Sequence, residues 1–349
     1  MKISTLLEYA GGFRQSARTV VDLEKVGLDL VWVGEAYGFD APTQMGYLAG
    51  LTQSVEIGSA ILPVFTRTPS LLAMTAAGVD ALSEGRCHLG LGASGPQVVE
   101  GWHGIEYTAP LQRTREVVDI CRRVWARDGP LVHQGKHYAM PLPDGRGTGL
   151  GKPLKIIAHP FRPRIPIWLA ALGERNVQLT AEIADGWLPF LFLPERAKEV
   201  WGEALAAGAA RRDPELGPLQ ISAGGLLAVG EGADVLAVRD HARPEAALYI
   251  GGMGARNANF YNALMVRYGY ERAAHEIQEL YLSGRKKEAE AAVPAEFLER
   301  TTLVGPASFV AERVEALREV GVTHVQVKPV TVGERSASDQ VAALKELIG

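Results

Sequence analysis

The stretch VEIGSAILPVFTRTPSLLAMTAAGVDALSEGRCHLGLG, Val55 to Gly92, decides how the chain folds. It opens with an apolar, β-prone run, VEIGSAILPV. A segment with helical spacing follows, SLLAMTAAGVDALSEG, and it closes at Gly85. RCHLGLG then reads as a second buried strand that runs into a glycine-rich turn. A strand, a helix and a strand in this order, each too apolar to face water on both sides, imply a right-handed βαβ unit in a parallel sheet.

The same alternation extends in both directions. Upstream, MKISTLLEY reads as a strand, FRQSARTVVDLEKVG as a helix ending at Gly27, LDLVWVG as a strand, and APTQMGYLAGLTQS as a helix with Pro42 in its first turn. Downstream, a helix is expected at about 110–127. The segment 128–163, rich in glycine and proline, is expected to be a long loop or a small hairpin. IPIWLAAL, DGWLPF, LQISAGGLLAVG and THVQVKPV supply further strands, with helical patterns between them. Strands are thus expected at about 2–9, 28–34, 54–62, 86–92, 166–171, 186–190, 219–229 and 323–328. Eight strands separated by helices fit a (β/α)8 TIM barrel, an α/β fold. An open doubly wound sheet would be expected to carry GxGxxG after its first strand, and that motif is missing there. The expectation is one barrel domain over 1–349, with a helical insertion at 231–300 before the last strand.

Composition narrows the partners. Of 349 residues, 47% are hydrophobic and 22% charged, the balance of a soluble globular domain, and the formal net charge of −4 argues against nucleic acid or an anionic membrane surface as the main partner. The two cysteines, Cys87 and Cys121, fall in apolar patterns and read as buried thiols. His133, His137 and His159 lack metal-ligand spacing, so no metal site is expected. With no apolar leader or membrane-length run, a cytoplasmic protein acting on a small molecule is the expectation.

A barrel gathers its chemistry at the C-terminal ends of its strands. The first strand ends at Glu8 and Tyr9, and the second in GEAYGFD, with Glu35, Tyr37 and Asp40. Glu35 could accept N–H bonds from a heterocycle, act as acid or base, or cap a nearby helix. The fourth strand delivers ASGPQVVEGWHG, where Gly92 and Gly95 would let backbone approach a ligand closely. Glu100, Trp102 and His103 would either face the substrate or pin the loop. After the fifth strand, ALGERN places Gly173 at a helix start with Arg175 beside it, a pattern suited to a phosphate. Tyr9, Phe39, Phe65, Trp102, Trp187 and Phe190 could build a pocket for a hydrophobic or planar molecule, or simply pack.

VWVGEAYGFDAPT, GSAILPVFTRTPSLLAMTAAGVDALSEGRCHLGLGASGP and LAALGERNVQLTAEIADGWLP together resemble the luciferase-like monooxygenase superfamily, closest to its branch of oxidoreductases that use the deazaflavin coenzyme F420. The resemblance covers most of the chain. It implies a barrel and hydride transfer between C5 of the deazaflavin and a small organic substrate, with FMN as the alternative coenzyme of the flavin-using members. A barrel that binds the coenzyme without catalysis is a further alternative. By position, the resemblance implies a bulge in the third strand with a cis peptide bond between Ser59 and Ala60 against the ring. It implies an acid near the ring, here Glu35 followed by Ala36 where the sugar-phosphate dehydrogenase has histidine. It also implies coenzyme phosphate held by Leu172, Gly173 and Glu174 with Arg175 and Asn176 beside them. Glu35, Tyr37 and His103 are then the candidates for catalysis, and Arg162, Arg164 and Arg256 the candidates for the acidic coenzyme tail. A homodimer is in keeping with the superfamily.

Overall fold

The computed structural model describes residues 1–7 and 12–349. Its strands are β1 (Lys2–Leu7), β2 (Leu30–Val33), β3 (Glu56–Ser59), β4 (Leu62–Pro63), β5 (Cys87–Gly92), β6 (His133–Gln134), β7 (Ala139–Met140), β8 (Ile167–Ala170), β9 (Gly186–Leu188), β10 (Gln220–Val229), β11 (Leu303–Gly305) and β12 (His324–Pro329). All pair in parallel except the β6–β7 hairpin, which lies within 128–163. Following the ladder gives β1, β2, β3 with β4, β5, β8, β9, β10 and β12, which returns to β1. This is a closed barrel of eight strand positions surrounded by helices, a TIM barrel.

Local signals set the helix starts. Asp40 caps the helix Ala41–Leu51 by accepting from Thr43 N, and Thr68 caps Pro69–Leu82 by accepting from Leu71 N, each with proline in the first turn. Ser336 and Asp339 form a reciprocal capping box on the last helix. Residues 231–300 fold as a series of short helices, including one wide helical turn at Leu248–Gly252. Strand β11, just after them, had no counterpart in the expected set. It is three residues long, too short for a periodic signal, and it exists by pairing with the far end of β10.

Two tryptophans fill the barrel interior. Trp32 of β2 meets Trp168 of β8 edge to face, ring centres 5.1 Å apart. Each is matched by a glycine on the next strand, Trp32 with Gly58 and Trp168 with Gly186, where a Cβ would collide with the indole. Trp32 donates to Ser222 Oγ at 3.3 Å, and Ser222 pairs with Ser4. Near the N-terminal ends of the strands, Trp168 donates to His88 Nδ1 at 2.8 Å. That leaves His88 Nε2 to face Glu56, 3.5 Å away, and Glu56 in turn pairs with Lys2 at 2.7 Å. Burial alone would raise the Glu56 carboxyl, but His88 and Lys2 hold it down at about 2. Burial lowers His324 to about 4, with the Lys2 charge adding to it.

Candidate active site

The mouth of the barrel is where the loops after β2, β4, β5, β8 and β9 meet. Two residues beyond β2, the Glu35 side chain is almost wholly buried. Arg67, from the loop after β4, grips it in a two-pronged pair at 2.6 and 2.9 Å, and Ala41 N donates to the same carboxylate at 2.9 Å. Of the readings open for Glu35, helix capping is the contact seen. Arg67 was missed in the sequence. The signal was the only cation in VFTRTP, delivered by the strand next to the one that delivers the acid. Tyr37 stands exposed at the rim, its ring 6.1 Å from that of Trp102 on the loop after β5.

The third barrel strand breaks between β3 and β4. The non-proline cis peptide bond lies at Ala60–Ile61 and not at Ser59–Ala60. The ladder accounts for the shift of one residue. Ser59 still pairs with Val33 and Ala60 N still donates to Val33 O, so the strand runs through the earlier bond. Ser59 is fully buried, and its hydroxyl bonds both the carbonyl (2.8 Å) and the N–H (2.9 Å) of Gly90, which spends it on joining β3 to β5. Gly92 has a reason within the protein. A Cβ there would come within 2.9 Å of Ile61 Cγ1. Gly95 has none, since a Cβ would meet open space, and the left-handed residue of this turn is Ser94. The chain then forms the short helix Pro96–Gly101. Glu100 pins the segment beyond this helix by accepting from Tyr107 N, and Tyr107 reaches back to Ser94 O. His103 is partly exposed at the start of that segment.

After the fifth barrel strand, Gly173 is the N-cap of the helix Glu174–Ile183, with no side chain capping it and open space where its Cβ would be. The turn is braced from behind. Trp187 donates to Ala171 O and Trp201 to Leu172 O, both at 2.9 Å. With the carbonyls taken, the N–H groups at the helix start are the polar groups this turn can offer a ligand. Glu174 is drawn aside by Arg267 at 3.1 Å, while Arg175 is exposed and Asn176 partly so.

Several expectations are corrected. Arg162 and Arg164 lie at the opposite end of the barrel. Arg162 is held by the fully buried Asp80 and by Cys87 O at the start of β5, and Arg164 by Asp185, which directly precedes β9. Both follow from chain order, because residues just upstream of β8 must enter at the N-terminal end. Arg256 pairs with Glu279 on the exposed surface. Trp187 is no pocket wall, because strand alternation turns it outward into a buried cluster with Phe192 and Trp201. Phe65 is likewise buried, stacked on Tyr107. Glu8 and Tyr9 lie outside the described residues. Both cysteines are free and buried. Among the described residues, no group of three His, Cys, Asp or Glu converges as a metal site, and no helix is long and apolar enough to cross a membrane.

Comparison with known proteins agrees with this architecture. The family model of luciferase-like monooxygenases matches residues 2–324. A putative coenzyme F420-dependent oxidoreductase of Mycobacterium tuberculosis is 41% identical over 349 residues, covering 99% of each chain. Among solved structures, the coenzyme F420-dependent tetrahydromethanopterin reductase of Methanopyrus kandleri superposes with a TM-score of 0.77 at 19% identity, over 98% of this chain and 96% of that one. An F420-dependent secondary alcohol dehydrogenase bound to an F420–acetone adduct gives 0.75 at 17% identity, over 100% and 99%. At such identities the structural likeness speaks for the fold, and the sequence matches speak for kinship. The chain is a member of the luciferase-like monooxygenase family.

Proposed function

We propose that this protein is an oxidoreductase that uses coenzyme F420 to exchange a hydride with a small organic substrate at the barrel mouth. The observation that carries this reading is the turn at Gly173. It is an uncapped helix start with its carbonyls tied down by Trp187 and Trp201, one strand from the place where Ile61 packs closely on Gly92. A phosphate-bearing, flat-ringed coenzyme fits that pair of features, and the kinship with a putative F420-dependent enzyme favours the deazaflavin.

When bound, the coenzyme supplies a two-electron hydride carrier that reacts poorly with oxygen, so the protein's tasks are binding, orientation and proton supply. The N–H groups of Leu172, Gly173 and Glu174 would hold the phosphate, with Arg175 and Asn176 beside them. Ile61 and Gly92 limit how deep the ring can sit. Glu35 acts through Arg67 and the start of helix Ala41–Leu51, and so fixes the second-strand loop that carries Tyr37. His103, at the start of the segment that Glu100 pins, would move a proton through a ring nitrogen. The pairing of Glu35 with Arg67 leaves His103 as the better candidate for that task.

The test is parallel titration of the purified protein with F420 and with FMN by fluorescence, followed by turnover of reduced F420 against enones, imines and ketones. Tight F420 binding with turnover is expected. Tight binding of FMN alone would replace this reading with a flavin monooxygenase. F420 binding without turnover on any class would leave a binding barrel.

A further inference from the structure

Three aromatic rings meet above the sixth barrel strand, and neither the phosphate turn nor the ring platform uses them. Phe190 follows β9. Tyr249 and Tyr261 come from the helical insertion. Ring centres are 4.3 Å apart for Phe190–Tyr249, 5.8 Å for Phe190–Tyr261 and 4.8 Å for Tyr249–Tyr261. All three are partly exposed. A second aromatic cluster lies immediately behind them. Its members Trp187, Phe192, Trp201, Tyr268 and Phe297 are each at most 4% exposed. The buried cluster is core, and the open one is a surface.

That surface is built to hold its shape. Asn259 is buried, and its side chain donates to Tyr249 O and Ile250 O at 3.0 Å each while accepting from Tyr261 N at 2.9 Å and Asn262 N at 3.0 Å. One amide thus clamps the two segments that carry the tyrosines. On the other side, Tyr268 donates to Leu191 O and receives Leu193 N, fixing the turn in which Leu191 takes a left-handed conformation and presents Phe190. Rings fixed in advance give up little entropy when a ligand arrives.

The barrel order says what faces this wall. The sixth strand stands four places from the second whichever way one counts, so the trio lies across the mouth from the exposed Tyr37–Trp102 pair. The features assigned to the coenzyme occupy the third to fifth strands. The sector left over runs from the trio beside the sixth strand to Tyr37 beyond the second. Resting on the functional reading above, we propose that Phe190, Tyr249 and Tyr261 form the specificity wall of the substrate slot, and that the substrate is a ring-bearing, predominantly apolar molecule that stacks there. Asn259 is the positioning residue of that wall.

The probe is 2-naphthol, a flat and unreactive ring, with its affinity measured by calorimetry on the full-length protein with and without F420. Turnover is compared for 2-cyclohexen-1-one and the open-chain 3-penten-2-one. Replacing Tyr249→Ala and Tyr261→Ala together is expected to weaken 2-naphthol about tenfold and to lower the cyclic-to-open-chain ratio of kcat/KM by a similar factor, with F420 affinity within about twofold. Tyr249→Phe with Tyr261→Phe should keep wild-type preference. Should the alanine pair fail to fold, Tyr249→Leu with Tyr261→Leu removes the ring faces at near-constant volume and carries the same expectation. The proposal is overturned if the wild type does not bind 2-naphthol, if the ring-less variants bind it as well as wild type, or if F420 affinity falls in step. If 2-naphthol binding depends on the trio while F420 does not bind at all, the wall stands and the functional reading falls.

Discussion

At the N-terminal ends of the strands the buried acids have their cations. Asp80 holds Arg162, Asp185 holds Arg122 and Arg164, and Glu56 holds Lys2 and faces His88. At the C-terminal ends the pattern reverses. The helix starts at Gly95 and Gly173 carry no side-chain cap, and Tyr37, Trp102, Phe190, Tyr249 and Tyr261 leave ring faces partly or largely in solvent. One end pairs its acids with cations and so stabilises the fold. The other leaves uncapped helix starts and aromatic residues at the surface. Among the described residues, Glu35 with Arg67 is a closed ion pair in the open half, and the helix starts at Asp40, Thr68 and Ser336 are capped there too.

Substitutions at the closed end should change stability and leave coenzyme affinity alone. Asp80→Ala strands the Arg162 guanidinium and removes the acceptor for Cys87 N. Loss of a buried partner of this kind is expected to cost about 4 kcal/mol in chemical denaturation, with F420 affinity of the folded fraction unchanged. A parallel drop in coenzyme affinity at saturating fold would break the division between the two ends.

The same end should make the protein acid-sensitive. Glu56 and His324 both titrate lower in the fold than in the unfolded chain, so the unfolded chain binds more protons in between, and the stability they confer is complete only above their ordinary values. It falls as pH drops from 6.5 to about 4 for His324 and from 4.5 to about 2 for Glu56. The His324 shift alone is worth roughly 3 kcal/mol, and Glu56, discounted for its partial exposure, adds to it. Urea midpoints measured from pH 7 down to pH 3 would show it, and Glu56→Gln should flatten the curve below pH 4.5 only.

The open end should behave in the opposite sense. His103→Ala is expected to lower kcat about a hundredfold, with thermal midpoint and F420 affinity near wild type. A fall in the midpoint with kcat preserved would make His103 a loop anchor. The smallest effect belongs to the seam between the two behaviours. Trp201→Phe removes the donor to Leu172 O, which should cost about 1 kcal/mol of stability and weaken F420 severalfold, read by titration. If affinity is untouched, the brace does not shape the phosphate turn.

Reading strand ends from the sequence picked out loops that follow barrel strands but not what each side chain does there. GEAYGFD was legible as a mouth loop, yet the fate of Glu35 depended on Arg67, 32 residues on and from a neighbouring strand. ALGERN was legible as the turn into a helix, but its brace comes from Trp201, 29 residues away on the next helix. Arg162 and Arg164 looked like mouth cations because a long loop conceals which end of the barrel it reaches. Tyr249 and Tyr261 gave no signal, because an aromatic residue in a helical pattern reads as core.

What the sequence determined by itself was local and periodic. The alternation of strand and helix, the caps at Asp40, Thr68 and Ser336, and the glycine turns each depend on neighbours within a few residues, and those suffice to close a barrel of eight strand positions. Only the tertiary structure decided which charges meet, on which residue the third strand breaks, and which rings stay open. Each of these depends on side chains brought together by barrel closure, and a one-dimensional pattern carries no record of that distance.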